Sequence, residues 1–195
     1  MRSETWVRRS GLLGVLGGAL WIVSWTCNAF TADGTRAVMG LSERGWRTVL
    51  NLALLFFMAA LVGLYAKQAE RMGKLGKTGI IIGLVGLVVA IVGNVAEFWV
   101  LEPADHRGWH AFLMGVVIFG IGSLLFGLAA LRVRISPRLG TWLLILWFPV
   151  GVIGLLLRAL GLPSWVQFLA GAGFFLFFGL CWMMLGYALW LEKKE

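Results

Sequence analysis

Long apolar stretches broken by short polar ones set the pattern of this chain. Residues 11–30, 48–66, 78–101, 111–131, 139–157 and 165–191 each form an apolar run, of the length that crosses about 30 Å of hydrocarbon at about 1.5 Å per residue. Inside hydrocarbon the backbone has to satisfy its own N–H and C=O groups, so such runs fold as helices. The pattern predicts an all-α integral membrane protein, with a single six-helix transmembrane domain over residues 1–195. The connections are too short to hold a soluble domain.

Small residues indicate which faces meet. In the third run Gly76, Gly79, Gly83, Gly86, Ala90 and Gly93 recur at alternating intervals of three and four, which places them on one face of a helix. Helices in lipid associate through packing, and small residues let their backbones approach, so this face is expected against neighbours. Asn94 falls in the same sector and Glu97 is the next position of the series. Glu97 is therefore expected to point into the bundle, although residues 78–93 before it carry no charge at all. Shorter stripes occur at Gly11, Gly14 and Gly18, at Gly120, Ser123, Gly127 and Ala130, and at Gly151 and Gly154. The last of these runs on to Arg158 and aims it inward.

Composition agrees with a membrane protein: 60% of residues are hydrophobic and 13% charged, where a soluble domain carries roughly a quarter. Charge then sets the orientation. Twelve of the 17 Lys and Arg residues lie in the amino terminus (Arg2, Arg8, Arg9), the second connection (Lys67, Arg71, Lys74, Lys77), the fourth (Arg132, Arg134, Arg138) and the tail (Lys193, Lys194). The other three connections hold Arg36, Arg44, Arg47, Arg107 and Arg158, balanced by as many acids. The positive-inside rule places both termini in the cytoplasm, in a membrane of the bacterial or archaeal cytoplasmic type. The net charge of +8 then faces anionic headgroups and calls for no nucleic acid.

Tryptophan and cysteine add detail. Trp6, Trp142 and Trp190 at the predicted inner ends, and Trp46, Trp99, Trp109 and Trp165 at the outer ones, read as interfacial belts. Trp21, Trp25, Trp147 and Trp182 sit deeper and are expected to pack. Cys27 and Cys181 are read as packing residues. Ser24, Trp25 and Thr26 make no convincing lipoprotein cleavage site ahead of Cys27, so the first helix is expected to be retained. Helices one, three and five start near a Leu-Gly pair within a basic patch, and helices two, four and six begin with tryptophan. That alternation suggests three helical hairpins in series, though basic-in, aromatic-out topology alone would also produce it.

The strongly polar side chains within the runs gather in one layer. Asn28, Asn51, Asn94, Glu97, Arg158 and Gln167, with His110 at the mouth of the fourth helix, all fall within about two turns of an outer helix end. A charge buried in a membrane is costly unless paired or solvated. Glu97 and Arg158 are therefore expected as a pair, surrounded by the amides and reached by water from outside. The competing reading is structural, with the amides as packing glue and Arg158 snorkelling outward.

The segment LEPADHRGWH, residues 101–110, carries the remaining candidate chemistry. Pro103 suits the first position of the fourth helix, where Glu102 and Asp105 would complement the helix dipole. His106 and His110, four apart, would share a face and with Glu97, Glu102 or Asp105 offer ligands to a metal. There is no HExxH and no third histidine. No cofactor is identified. The absence of a GxSxG elbow and of a phosphate-cradling loop makes an enzyme the less favoured reading. A channel would need polar side chains through the full thickness. Pro149 interrupts helix five in the manner of transporter helices, but it has no counterpart elsewhere.

Three functional classes fit. One is an outward-facing polar pocket that binds a small ligand (a lipid headgroup, quinone or solute) in recognition or transport. Another is an accessory subunit that packs on a membrane-protein partner or on its own copies. The third is an outer-face metal-dependent hydrolase with Glu97 as base. Membrane lipids are partners in all three.

Overall fold

The computed structural model of the chain describes residues 2–31, 37–68, 73–101, 106–133, 138–161 and 164–191; the side chains of 2–4, 68, 138, 155, 158–159, 164–170 and 172 lie outside the description. The helices are α1 (Arg2–Thr31), α2 (Glu43–Gln68), α3 (Gly73–Val95), α4 (Arg107–Val133), α5 (Arg138–Ala159) and α6 (Ser164–Leu191), and α3 runs directly into a π-helical turn, Ala96–Val100. Among the described residues, five helices are long and apolar enough to cross a membrane: α1, α2, α3 with its π turn, α4 and α6. The apolar part of α5, Leu139–Gly154, is shorter. The all-helical architecture is consistent with a membrane bundle.

Several helices overrun the apolar runs that announce them. The second begins at Glu43 instead of residue 48, because the Ser42 carbonyl already accepts a hydrogen bond from the Trp46 N–H at 3.1 Å. Ser42 and Glu43 are the residue types that favour a helix start, a polar cap followed by an acid in the first turn. The consequence for function is that Arg47, a connection residue by hydropathy, is carried on a helix.

Each helix packs on its neighbour in sequence, and α6 closes on α1, so the six form a ring. The tightest contact joins α3 to α4. A Cβ added to Gly79 would lie 2.6 Å from the Phe126 nitrogen, and one on Gly86 or Gly93 would collide with the nitrogens of Phe119 or Phe112. From the other side, Gly122, Gly115 and Gly108 are held against the nitrogens of Gly83, Ala90 and Glu97. Every step of three or four along α3 is met by the same step back along α4, so the register of this antiparallel pair is constant from Gly79 to Glu97. The stripe expected on α4, including Gly120 and Gly127, faces Phe148 and Ile145 of α5 instead. The contact with α3 uses a second set of glycines, spaced by seven residues. Ring closure follows the same logic, with Gly11 against Gly186 and Gly18 against Gly179.

Aromatic rings fill the centre. Phe178 lies 4.7 Å from Trp21, 5.1 Å from Phe57, 5.7 Å from Phe119 and 4.6 Å from Trp147, measured between ring centroids. Trp182 stacks on Phe57 at 4.9 Å. All six of these residues are buried, and each such pair adds roughly 0.5–1.5 kcal/mol beyond the area it covers. Trp21, Trp147 and Trp182 thus occupy the core and Trp25 is partly buried beside it. Trp6, Trp99, Trp142 and Trp190 are exposed. Trp46 departs from the belt reading: it is buried, and its indole N–H donates to the Val38 carbonyl at 3.2 Å. That bond ties down a two-residue turn in which Val38 and Leu41 exchange 3.0 Å hydrogen bonds, with Met39 and Gly40 at φ 51° and 79°. Positive φ at both central residues matches the turn type that joins antiparallel strands. Cys27 and Cys181 are both free thiols, and the Cys181 thiol donates to the Gly140 carbonyl at 3.5 Å.

Gly86→Leu or Gly115→Leu is expected to destabilise the protein by at least about 1–3 kcal/mol, since the new side chain meets backbone that cannot yield. Gly171→Ala, where among the described residues nothing lies within 4 Å, should leave stability unchanged or raise it by up to about 1 kcal/mol, since alanine is the better helix former. Thermal unfolding in detergent distinguishes the two outcomes.

Candidate functional site

The glycine register decides where Glu97 goes. At Gly108 the α4 backbone passes so close to the Glu97 nitrogen, and 2.6 Å from its Cα as measured from an added Cβ, that only glycine fits. The helix widens here: the Leu101 N–H reaches back five residues to the Ala96 carbonyl at 2.8 Å, and such π turns recur at functional sites. Glu97, in the first position after Ala96, extends over the start of α4. Its Oε2 accepts the Trp109 backbone N–H at 2.8 Å, and its Oε1 lies 3.3 Å from His106 Nδ1. The first N–H groups of a helix have no partner within it, so the carboxylate caps α4 from a neighbouring element and complements its dipole.

Beside it lies a cation that hydropathy leaves in a connection. Arg47 is only 8% exposed. Its guanidinium carbon lies 4.6 Å from the ring centroid of Phe98, 5.3 Å from that of Trp109 and 5.4 Å from that of Trp25. Three elements, α1, the π turn and α4, thus each place an aromatic face on one side chain of α2. A desolvated cation gains about 2 kcal/mol or more from such a face. Nη2 is 3.7 Å from Glu43 Oε1, one turn back on α2. Nε and Nη1 are buried and, among the described residues, have no hydrogen-bond partner.

A layer of amides underlies this pair of charges. The Asn94 side-chain amide donates to the Arg47 carbonyl at 3.1 Å and to Asn51 Oδ1 at 2.9 Å. Asn94, 1% exposed, uses both amide protons to join α3 to α2. Its Oδ1 and that of Asn28 are buried and unpartnered. Glu43, Arg44, Arg47, Glu97, Phe98, Leu101, His106 and Trp109 together line a cleft of about 500 Å³ at this end of the ring.

Of the residues singled out by sequence, Asn51 and Asn94 are bonded to each other directly beneath the cleft, and Glu97 and His106 meet within it. Asn28 is buried on α1, while His110 is exposed and is not part of the cleft lining. Arg158 and Gln167 belong to α5 and α6, but their side chains lie outside the described residues, as do Glu102 and Asp105 altogether. The partners shown for Glu97 are therefore Trp109 and His106. Among the described residues, no group of three His, Cys, Asp or Glu side chains is placed to hold a metal ion.

Arg47, Glu43 and the three rings around the guanidinium are the part that hydropathy misses. The signal for them is the helix start at Ser42 and Glu43, after which Glu43 and Arg47 stand four apart with the acid first, the favourable order on a helix. The rings carry no such signal, because they come from three other segments. No protein family, curated protein or solved structure matches this chain.

Glu97→Ala removes the cap on α4 and is expected to lower stability by about 1 kcal/mol, within the range of a lost N-terminal cap. Glu97→Gln keeps an oxygen for the Trp109 N–H and should lose less than half as much. Gly108→Ala, which displaces the Glu97 backbone, should cost more than either. Unfolding midpoints of the three variants in one detergent give the ranking.

Proposed function

We propose that this protein is a multi-pass membrane protein that recognises a small ligand in the cleft between the starts of α2 and α4 and the π turn. The observation that carries the reading is Arg47. A guanidinium enclosed by rings, with two nitrogens lacking acceptors among the described residues, is costly to maintain in a bundle that could have placed an apolar residue there. It sits on the wall of a cleft of about 500 Å³, within the size range of small-molecule sites.

Recognition is favoured over conduction by what lies beneath. Below the amide layer, Trp21, Phe57, Phe119, Phe178 and Trp182 pack against one another and are all buried. A path across the membrane needs polar or hydrated lining, which this aromatic centre does not offer. The distribution of Lys and Arg supports an exoplasmic cleft, by the positive-inside rule. The ligand accordingly arrives from the outer surface or from the adjoining leaflet.

Native mass spectrometry of the protein released from mild detergent tests the proposal. A bound small molecule should accompany the wild type and be lost from Leu101→Trp, whose side chain fills the cleft, while both proteins remain folded by circular dichroism. A wild type that carries nothing, and that no compound from a chemically mixed panel stabilises against heat, would remove the proposal.

A further inference from the structure

The hydrogen-bonding groups around the cleft differ in how far they are already engaged, and that difference specifies the ligand. Glu97 has both oxygens occupied, by the Trp109 N–H and by His106. Glu43 is drawn to Arg47 Nη2. The donors of Arg47 Nε and Nη1 have no acceptor, although the residue is more than nine-tenths buried and forms part of the cleft wall. Arg44, three residues earlier on α2, is exposed on the same wall. The unmet demand in the cleft is therefore for acceptor oxygens, at one deep and one shallow guanidinium.

Resting on the reading of the cleft as a ligand site, we propose that it takes a phosphate ester bearing its own ammonium group. A planar carboxylate offers two oxygens and serves one guanidinium fork, whereas the tetrahedral oxygens of a phosphate can engage Arg44 and Arg47 from different sides. The ammonium follows from charge balance. Arg44 and Arg47 are matched in the cleft wall by Glu43 and Glu97, so a bare anion would meet two carboxylates as well as two cations. A zwitterion satisfies both sets, with its ammonium at the Glu43 carboxylate and the charge of Glu97 nearby. Phe98, whose ring covers the guanidinium, is the side chain that turns aside to admit an oxygen to Nε. It stands on the π turn, where the hydrogen-bonding pattern already departs from that of α3. Leu101 lines the same cleft, and Trp99 and Val100 beside it are exposed, which gives apolar surface next to the polar site.

Two sources supply this chemistry, a phospholipid headgroup and a soluble phosphoamine, and one experiment separates them. The protein is placed in nanodiscs made of equal parts phosphatidylethanolamine and phosphatidylglycerol, and lipids retained after release are weighed by native mass spectrometry. Soluble phosphoethanolamine and inorganic phosphate are titrated in parallel in detergent, read by thermal shift. The expected result is preferential retention of phosphatidylethanolamine over phosphatidylglycerol, or stabilisation by phosphoethanolamine and not by phosphate alone. Retention of phosphatidylethanolamine, or stabilisation by phosphoethanolamine, should fall by roughly tenfold in Arg44→Glu, the effect of losing one charge-assisted contact to the phosphate. Glu43→Gln should narrow the preference between the two lipids. Arg44 is exposed, so its substitution leaves folding intact, whereas Arg47→Lys serves as a second variant, read only if it remains folded. Equal retention of the two lipids together with equal response to the two soluble probes overturns the zwitterion. Retention of a neutral or purely cationic compound, indifferent to Arg44→Glu, overturns the phosphate assignment while leaving a ligand-binding cleft in place. Binding of nothing at all removes both.

Discussion

The close approach of the α3 and α4 backbones governs the rest of this structure. In lipid no hydrophobic force draws two helices together, so contact depends on how many atoms can meet. Six glycines, Gly79, Gly86 and Gly93 on α3 and Gly108, Gly115 and Gly122 on α4, remove the side chains that would hold the two helices apart, and each backbone lies in the gap left by the other. The contact does not stop at the last apolar residue. It continues to Glu97 and Gly108, and so delivers a carboxylate to the start of α4, where unsatisfied N–H groups are waiting. Packing in the apolar part of the pair thereby fixes chemistry at its polar end.

Arg47 is the counterpart on the other side of the cleft, and it is held differently. Glu97 is fixed by backbone position, whereas the Arg47 guanidinium is held by enclosure, with rings from α1, the π turn and α4 around it and Glu43 alongside. Asn94 links the two arrangements by donating from α3 to the Arg47 carbonyl and to Asn51 on α2. The amide layer, which by sequence has an equally good structural explanation, thus acts as the floor on which the charged groups stand.

Hydropathy and small-residue spacing made the helical class and the buried stripe of α3 legible, because length and periodicity are local properties of the chain. Gly79, Gly83, Gly86, Ala90 and Gly93 are buried as their spacing implies. On α4 the same rule picked out Gly120 and Gly127, which face α5. Two glycine faces exist on that helix, and periodicity cannot tell which neighbour each one meets. Of the candidate site, the inward placement of Glu97 and Asn94 was legible, because it follows from the stripe. It was not legible at Arg47, because a hydropathy window ends a helix where charge begins, while the hydrogen-bonded helix extends to its cap. Nor could the aromatic enclosure be read, since Trp25, Phe98 and Trp109 come together only through the ring arrangement of the helices.

The π turn also separates two kinds of sequence change. A turn of this type holds one residue more than an α-turn, so the stretch between Val95 and Leu101 can lose a residue and stay helical. The same deletion between Gly79 and Gly93 would move every small residue on one side of it away from its opposite number at once. A point substitution along α3 disturbs one contact with α4, but shortening of this helix has a single tolerant address, and it lies next to the carboxylate.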